Sequence, residues 1–200
     1  LLGAEPGAGP SGDSLDTRMW SLPIGMDARD LRVARLDLAD THALISGSPG
    51  SGRTTALETI ATAAESVGIT VLGEPGTGSN DVASRLSDAV QRAARQPSRN
   101  FILLMDALDR YGDDPAVAGS LAALLGDHRT SNLRLVAGGD PMGLLRCYSD
   151  AVMRLRSMRT GLLLGTDAHD IGDILHHELR RRDDIPPAPG RGWLCHRGNA

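Results

Sequence analysis

Apolar positions along the chain alternate between short continuous runs and longer stretches with helical spacing, which predicts strands and helices in turn. Residues 42–46 read as a buried strand, and Leu57, Ile60, Ala61, Ala64 and Val67 mark one face of the helix that follows. Residues 69–72 read as a second strand, with Val82, Leu86, Ala89, Val90 and Ala93 on the inner face of a second helix. The run Phe101-Ile102-Leu103-Leu104-Met105 closes on Asp106, the pattern of a central parallel strand covered on both faces. A helix carrying Val117, Leu121, Leu124 and Leu125 comes next, then a fourth strand over 133–137, an irregular helix over 142–155 and a fifth strand over 161–164. Such alternation builds right-handed strand-helix-strand units, hence an α/β fold with a mainly parallel sheet between helix layers.

Both flanks depart from this rhythm. Residues 20–38 carry short extended pieces around the turn Gly25-Met26-Asp27, with Leu31, Val33 and Leu36 or Leu38 expected to face inward, which predicts an N-terminal β extension. Residues 1–17 are rich in Gly, Pro, Ser and Ala and read as a flexible linker, leaving one domain over 18–200. With no initiator methionine, the chain is expected to be a piece of a longer polypeptide. The tail predicts a short helix with Ile171, Ile174 and Leu175 on one side, a charged stretch, a Pro-rich turn and an extended piece over 192–195.

Composition narrows the function classes. A chain of 200 residues, 40% of them hydrophobic, supports one core. Lysine is absent: all 21 basic residues are arginine, against 25 acidic ones, and a net charge of −4 gives no general attraction to nucleic acid or to an acidic membrane surface. Cys147 and Cys195 lie far apart, which indicates neither a zinc site nor a disulfide framework and suits a reducing cytoplasm. No apolar run approaches the ~20 residues of a membrane span.

The chemistry concentrates where the first strand meets its helix. Gly47-Ser48-Pro49-Gly50-Ser51-Gly52-Arg53-Thr54-Thr55 follows the phosphate-loop pattern G-x-x-x-x-G-K-[ST], with arginine in the lysine position. The glycines let backbone N–H groups turn toward phosphate oxygens, and the helix beginning near Arg53 aims its positive dipole end at the same place. ATP is the expected ligand, with Mg²⁺ held by the Thr54 hydroxyl and, through water, by Asp106 at the end of the third strand. An active ATPase of this pattern commonly has glutamate after that aspartate to activate water; here the residue is Ala107, and Asp109 lies further along in a turn. A guanidinium is wider and more forked than the ammonium it replaces. Binding is expected to survive both changes and efficient hydrolysis is not.

Other polar clusters carry blander expectations. Arg154, Arg156 and Arg159 could supply a finger to a neighbouring phosphate, but a solvated basic face is preferred. The run Arg180-Arg181-Arg182 is answered by Asp183-Asp184. Adjacent His176 and His177 diverge by about 100° on a helix, poor geometry for a metal. Asp140, Asp167 and Asp170 follow the fourth and fifth strands, where ligand residues and helix caps look alike.

Three passages together give a family resemblance: Leu22-Pro23-Ile24-Gly25-Met26-Asp27, the loop over 47–55, and Pro187-Ala188-Pro189-Gly190-Arg191-Gly192-Trp193-Leu194. With them the chain resembles the FtsK/SpoIIIE family of P-loop ATPases, and most closely the C-terminal ATPase domains of EccC-type proteins of type VII secretion. The resemblance implies a RecA-like three-layer α/β/α fold, ATP with Mg²⁺, and a cytoplasmic domain of a membrane-anchored protein. It also implies tandem ATPase domains in one chain, assembly as a ring or as a string of domains with a homo-oligomer of the full-length protein open, and a C-terminal domain that receives the C-terminal signal of an exported substrate. Altered phosphate loops occur in such later domains, and Arg53 and Ala107 fit a degenerate one. The alternative is an active motor domain for protein or, as the broader family name suggests, DNA.

Overall fold

The apolar runs become the strands of one sheet in a computed structural model of the chain, which describes residues 19–73, 81–126, 132–165, 172–179 and 188–197. The sheet contains β3 (Ala43–Gly47), β4 (Thr70–Leu72), β5 (Phe101–Met105), β6 (Leu133–Gly139), β7 (Gly161–Leu164) and β8 (Gly192–Cys195), in the spatial order β4-β5-β6-β3-β7-β8. Its pairings are parallel except that of β7 with β8. Ahead of it, β1 (Ser21–Met26) and β2 (Val33–Asp37) make a separate antiparallel pair, the expected N-terminal extension. The helices are α1 (Arg53–Ser66), α2 (Val82–Arg95), α3 (Leu108–Tyr111), α4 (Pro115–Leu125), α5 (Pro141–Arg146) and α6 (Asp150–Ser157).

Alternation along the strands divides the core in two, because successive side chains leave opposite faces of a sheet. On β5, Ile102 and Leu104 pack with Leu57 and Ile60 of α1 and with Leu22 and Leu36 of the hairpin. Phe101, Leu103 and Met105 face the other way, toward Leu86 of α2, Leu121 of α4 and Val152 of α6. The result is a three-layer α/β/α arrangement in which each fully buried leucine contributes about 1.5–3 kcal/mol.

Arg134 ties the hairpin to the sheet. It lies within the apolar strand β6 at 2% exposure. Its Nε donates to the Leu38 carbonyl at 2.6 Å and its Nη2 to that of Ala39 at 2.5 Å, and the guanidinium stands 4.7 Å from the centre of the Trp20 ring. Burial pulls its pKa down to about 10, opposed by Asp40.

Several details differ from the sequence expectation. Leu31 and Val33 are exposed, while Leu36 and Leu38 are both buried. On α1, Ala63 takes the inner position expected of Ala61, which is only partly covered, and Val67 lies beyond the helix end at 37% exposure. The irregular helix divides into α5 and α6 because one oxygen of Asp113 accepts from the Tyr148 and Ser149 amides and the Cys147 thiol, holding a bend, after which Ser149 caps α6. The final extended piece is a full strand of the main sheet. In the tail, residues 172–174 form a single 3-10 turn with Ile174 and Leu175 buried; Ile171, the linker 1–17 and the charged stretch 180–184 lie outside the described residues.

Candidate nucleotide site

β3 is fully buried and flanked on both sides by parallel strands, so the loop leaving it is anchored at the carboxyl edge of the sheet, where ligands gather in α/β folds. Within the loop, Gly50 and Gly52 adopt φ of +80° and +91°, the left-handed conformation that glycine enters without strain. A Cβ on Gly47 would crowd Ser51 Oγ and come 3.1 Å from Leu164 Cβ and 3.2 Å from Ser51 Cβ, so a larger residue there would make its neighbours shift. Among the described residues no acceptor faces the backbone N–H of Gly50, Gly52, Arg53, Thr54 or Thr55, whereas that of Ser51 is used internally, donating to the Ser48 carbonyl at 3.0 Å. Such a set of amides without acceptors at the start of a 14-residue helix is suited to binding an anion.

Arg53 does not stand free beside these amides. Its Nη1 donates to the Gly47 carbonyl at 2.7 Å, and its Nε lies 2.8 Å from Asp106 Oδ1. The latter is a contact of opposite charges and not an aligned hydrogen bond, since the Nε–H has no acceptor in line. Both side chains are mostly covered, at 18% and 13% exposure. The same Asp106 oxygen accepts the Ala107 amide at 2.7 Å.

The strand order explains how the two groups meet. β6 lies between β3 and β5, and its Gly138 sits under the pair: a Cβ there would come 2.8 Å from Asp106 Oδ1 and 3.3 Å from Arg53 Cδ. Gly138 was not singled out in the sequence, although a Gly-Gly step ending an apolar strand is a visible signal of close approach. Gly190 belongs to the closing passage 187–194. Its N–H donates to the Ser51 carbonyl at 2.7 Å, and a Cβ on Gly52 would meet its nitrogen at 2.7 Å, so residues 188–191 press against the loop from outside.

The remaining expected site residues separate clearly. Thr54 and Thr55 are exposed at the start of α1, and Ser48 and Pro49 are exposed in the loop. Ala107 adopts a left-handed φ of 57° and carries a methyl group at the position where an active ATPase of this pattern commonly has a water-activating glutamate. Asp109 is committed elsewhere, accepting the Asp140 amide at 2.9 Å, and Asp140 caps α5 through the Met142 and Gly143 amides. Asp106, expected to hold Mg²⁺ through water, instead faces a guanidinium, and the residues present do not fit a divalent cation.

The preferred reading of a solvated face holds for Arg154, which is exposed, whereas Arg156 and Arg159 are half-buried, and all three also tie to backbone carbonyls. Arg154 donates to the Leu125 carbonyl, Arg156 to those of Ile174 and Asp173, and Arg159 to that of His176. His177 is buried with Nε2 3.0 Å from the Arg159 carbonyl, and no metal-holding group of His, Cys, Asp or Glu occurs among the described residues. Asp167 and Asp170 lie outside them. Cys147 and Cys195 are unpaired and buried, and burial pushes the Cys195 thiol up to about 12.

A largely parallel sheet between helix layers, with a glycine loop joining β3 to α1, is the fold of the P-loop ATPases. No protein-family model and no curated protein sequence matches the chain. Among solved structures, EssC (ATPases 2 and 3) of Geobacillus thermodenitrificans superposes with a TM-score of 0.70 at 14% identity, over 88% of this chain and 39% of that one. The cytoplasmic domain of the type VII secretion ATPase EccC of Thermomonospora curvata gives 0.63 at 19% identity, over 90% and 26%. EccC (ATPases 2 and 3) of the same organism, in complex with a signal sequence peptide, gives 0.61 at 18% identity, over 96% and 42%. The chain therefore has the fold of type VII secretion ATPase domains and spans less than half the length of each of these structures.

Proposed function

We propose that the chain is an FtsK/SpoIIIE-like, nucleotide-binding domain of a larger type VII secretion ATPase, weak or inactive in hydrolysis, and that it serves recognition or regulation. The observation that carries this reading is the Arg53–Asp106 pair beside Ala107. The loop over 47–55 would hold the phosphates of ATP through its free amides, the dipole of α1 and the guanidinium of Arg53. Catalysis needs more: charge placed against the transferring phosphoryl group and a base or orienter for water. Asp106 is neutralised by Arg53, Ala107 has no proton-accepting atom, and Asp109 is held by Asp140. Loss of one group that stabilises a transition state slows a reaction by about 10²–10³-fold, and here two are gone.

The partners follow from the tandem architecture of the similar structures. Other ATPase domains of the same polypeptide would flank this one, and the C-terminal signal of a secreted substrate is the ligand class expected for the recognition role. Assembly into homo-oligomers, and anchoring by segments outside this chain, belong to the same proposal; no helix among the described residues is long and apolar enough to cross a membrane. The active-motor alternative finds no support in the arginines before β7, which bind carbonyls of their own fold.

A phosphate-release assay tests the catalytic part. The parent should release phosphate no faster than buffer, and Arg53→Lys with Ala107→Glu should raise the rate by about 10-fold or more. Turnover in the parent that disappears in Arg53→Ala would refute the reading. The recognition part is tested by titrating substrate C-terminal peptides against the chain with and without ATP, where no binding in either state counts against it.

A further inference from the structure

We infer that this site binds the polyphosphate of a nucleotide without a divalent cation, the Arg53 guanidinium standing in the cation's place; the inference rests on the proposed nucleotide binding. In phosphate-loop sites the metal neutralises phosphate charge and is held, through water, by a carboxylate at the end of another strand of the same sheet. Here that carboxylate already has a resident cation. Arg53 Nε lies 2.8 Å from Asp106 Oδ1, in a region where both side chains are largely withdrawn from water.

Three features hold the guanidinium there. The Gly47 carbonyl accepts from Nη1 at 2.7 Å, the Ala107 amide orients the carboxylate at 2.7 Å, and Gly138 leaves the space that any side chain would fill. A divalent ion approaching Asp106 would have to enter beside a fixed positive charge, and it would have to displace that charge to gain the carboxylate. No second carboxylate compensates, since position 107 is alanine and Asp109 is bonded to the Asp140 amide.

Phosphate itself loses little by the exchange. A guanidinium is a planar fork with five donors, suited to phosphate oxygens, and among the described residues Nη2 of Arg53 has no acceptor. The amides of Gly50, Gly52, Arg53, Thr54 and Thr55 complete the donor set. Their charge comes from the backbone and needs no metal. In the presence of Mg²⁺ most free ATP carries the ion, so binding of the bare polyphosphate requires its release; affinity should be equal or higher when the metal is chelated.

Calorimetric titration of the chain with ATP, once in excess MgCl2 and once in excess EDTA, tests the inference. The expected result is a dissociation constant in EDTA equal to or lower than that in Mg²⁺, and in Arg53→Lys a reversal, with Mg²⁺ tightening binding by about tenfold or more. Parent binding that is about tenfold tighter in Mg²⁺ overturns the inference while leaving nucleotide binding in place. Binding in neither buffer overturns both. Should Arg53→Lys fail to fold, Arg53→Ala supplies the second arm, because it frees the Asp106 carboxylate: ATP binding that is rescued by Mg²⁺ relative to EDTA supports the inference, and binding that Mg²⁺ does not strengthen contradicts it.

Discussion

Replacing Asp106 with asparagine removes one negative charge from beside Arg53 while keeping the shape of the side chain and its acceptor for the Ala107 amide. At the observed 2.8 Å the bare attraction is about 6 kcal/mol for an effective dielectric constant of 20. Most of that is offset by the hydration both groups surrendered at 18% and 13% exposure. Exposed pairs are worth about 0–1 kcal/mol and breaking fully buried ones costs about 3–5, so this pair should contribute about 1–3 kcal/mol. For a domain of this size that corresponds to a melting temperature lower by about 3–9 °C. The same substitution leaves the Arg53 charge uncompensated, so inorganic phosphate and ATP should bind several-fold tighter, which calorimetry reads directly. A variant with unchanged melting temperature and unchanged phosphate affinity would show that the two groups do not interact as described.

Three further outcomes follow from the packing. Arg134→Met deprives the buried Leu38 carbonyl and the half-buried Ala39 carbonyl of their donors and the Trp20 ring of its cation, and should lower unfolding free energy by about 2–4 kcal/mol in urea titration; a loss under about 0.5 kcal/mol would contradict the proposed tie. Gly138→Ala places a methyl 2.8 Å from Asp106 Oδ1 and should destabilise by about 1–3 kcal/mol and disturb ligand binding at the loop, read by thermal melting and titration. Cys195, ordinarily near 9.0 and pushed to about 12 by burial, should resist alkylation at pH 9 in the native protein and react on unfolding. Because its folded-state value is raised, its contribution to stability is complete below pH 9.0 and is lost as pH rises toward 12.

Much of this was legible in the sequence because it is local. The strand over 42–46, the glycine loop and the spacing of Leu57 and Ile60 are set by neighbours in the chain, and the five apolar runs gave the parallel strands. The N-terminal flank was legible as β structure around a turn, but period-two alternation does not say which face is covered, and Leu31 and Val33 fell on the open side. Position β8 beside β7, and the division of the helix at Cys147, depend on partners far away in sequence; the second is decided by Asp113. The site divides in the same way. Arg53, Asp106 and Ala107 were each visible as departures from or matches to a pattern, whereas their pairing across Gly138 of an intervening strand exists only in the fold. Arg134 was open to notice as a lone charge between Leu133 and Leu135, and only its carbonyl partners explain its presence.

The most direct test of the central claim combines occupancy and turnover on one preparation. ATP is titrated to saturation, and phosphate release is followed over many equivalents. The account predicts saturable binding that is weakened in Arg53→Ala, with release no faster than in protein-free buffer. Sustained multiple turnover by the parent, abolished in Arg53→Ala, would contradict it.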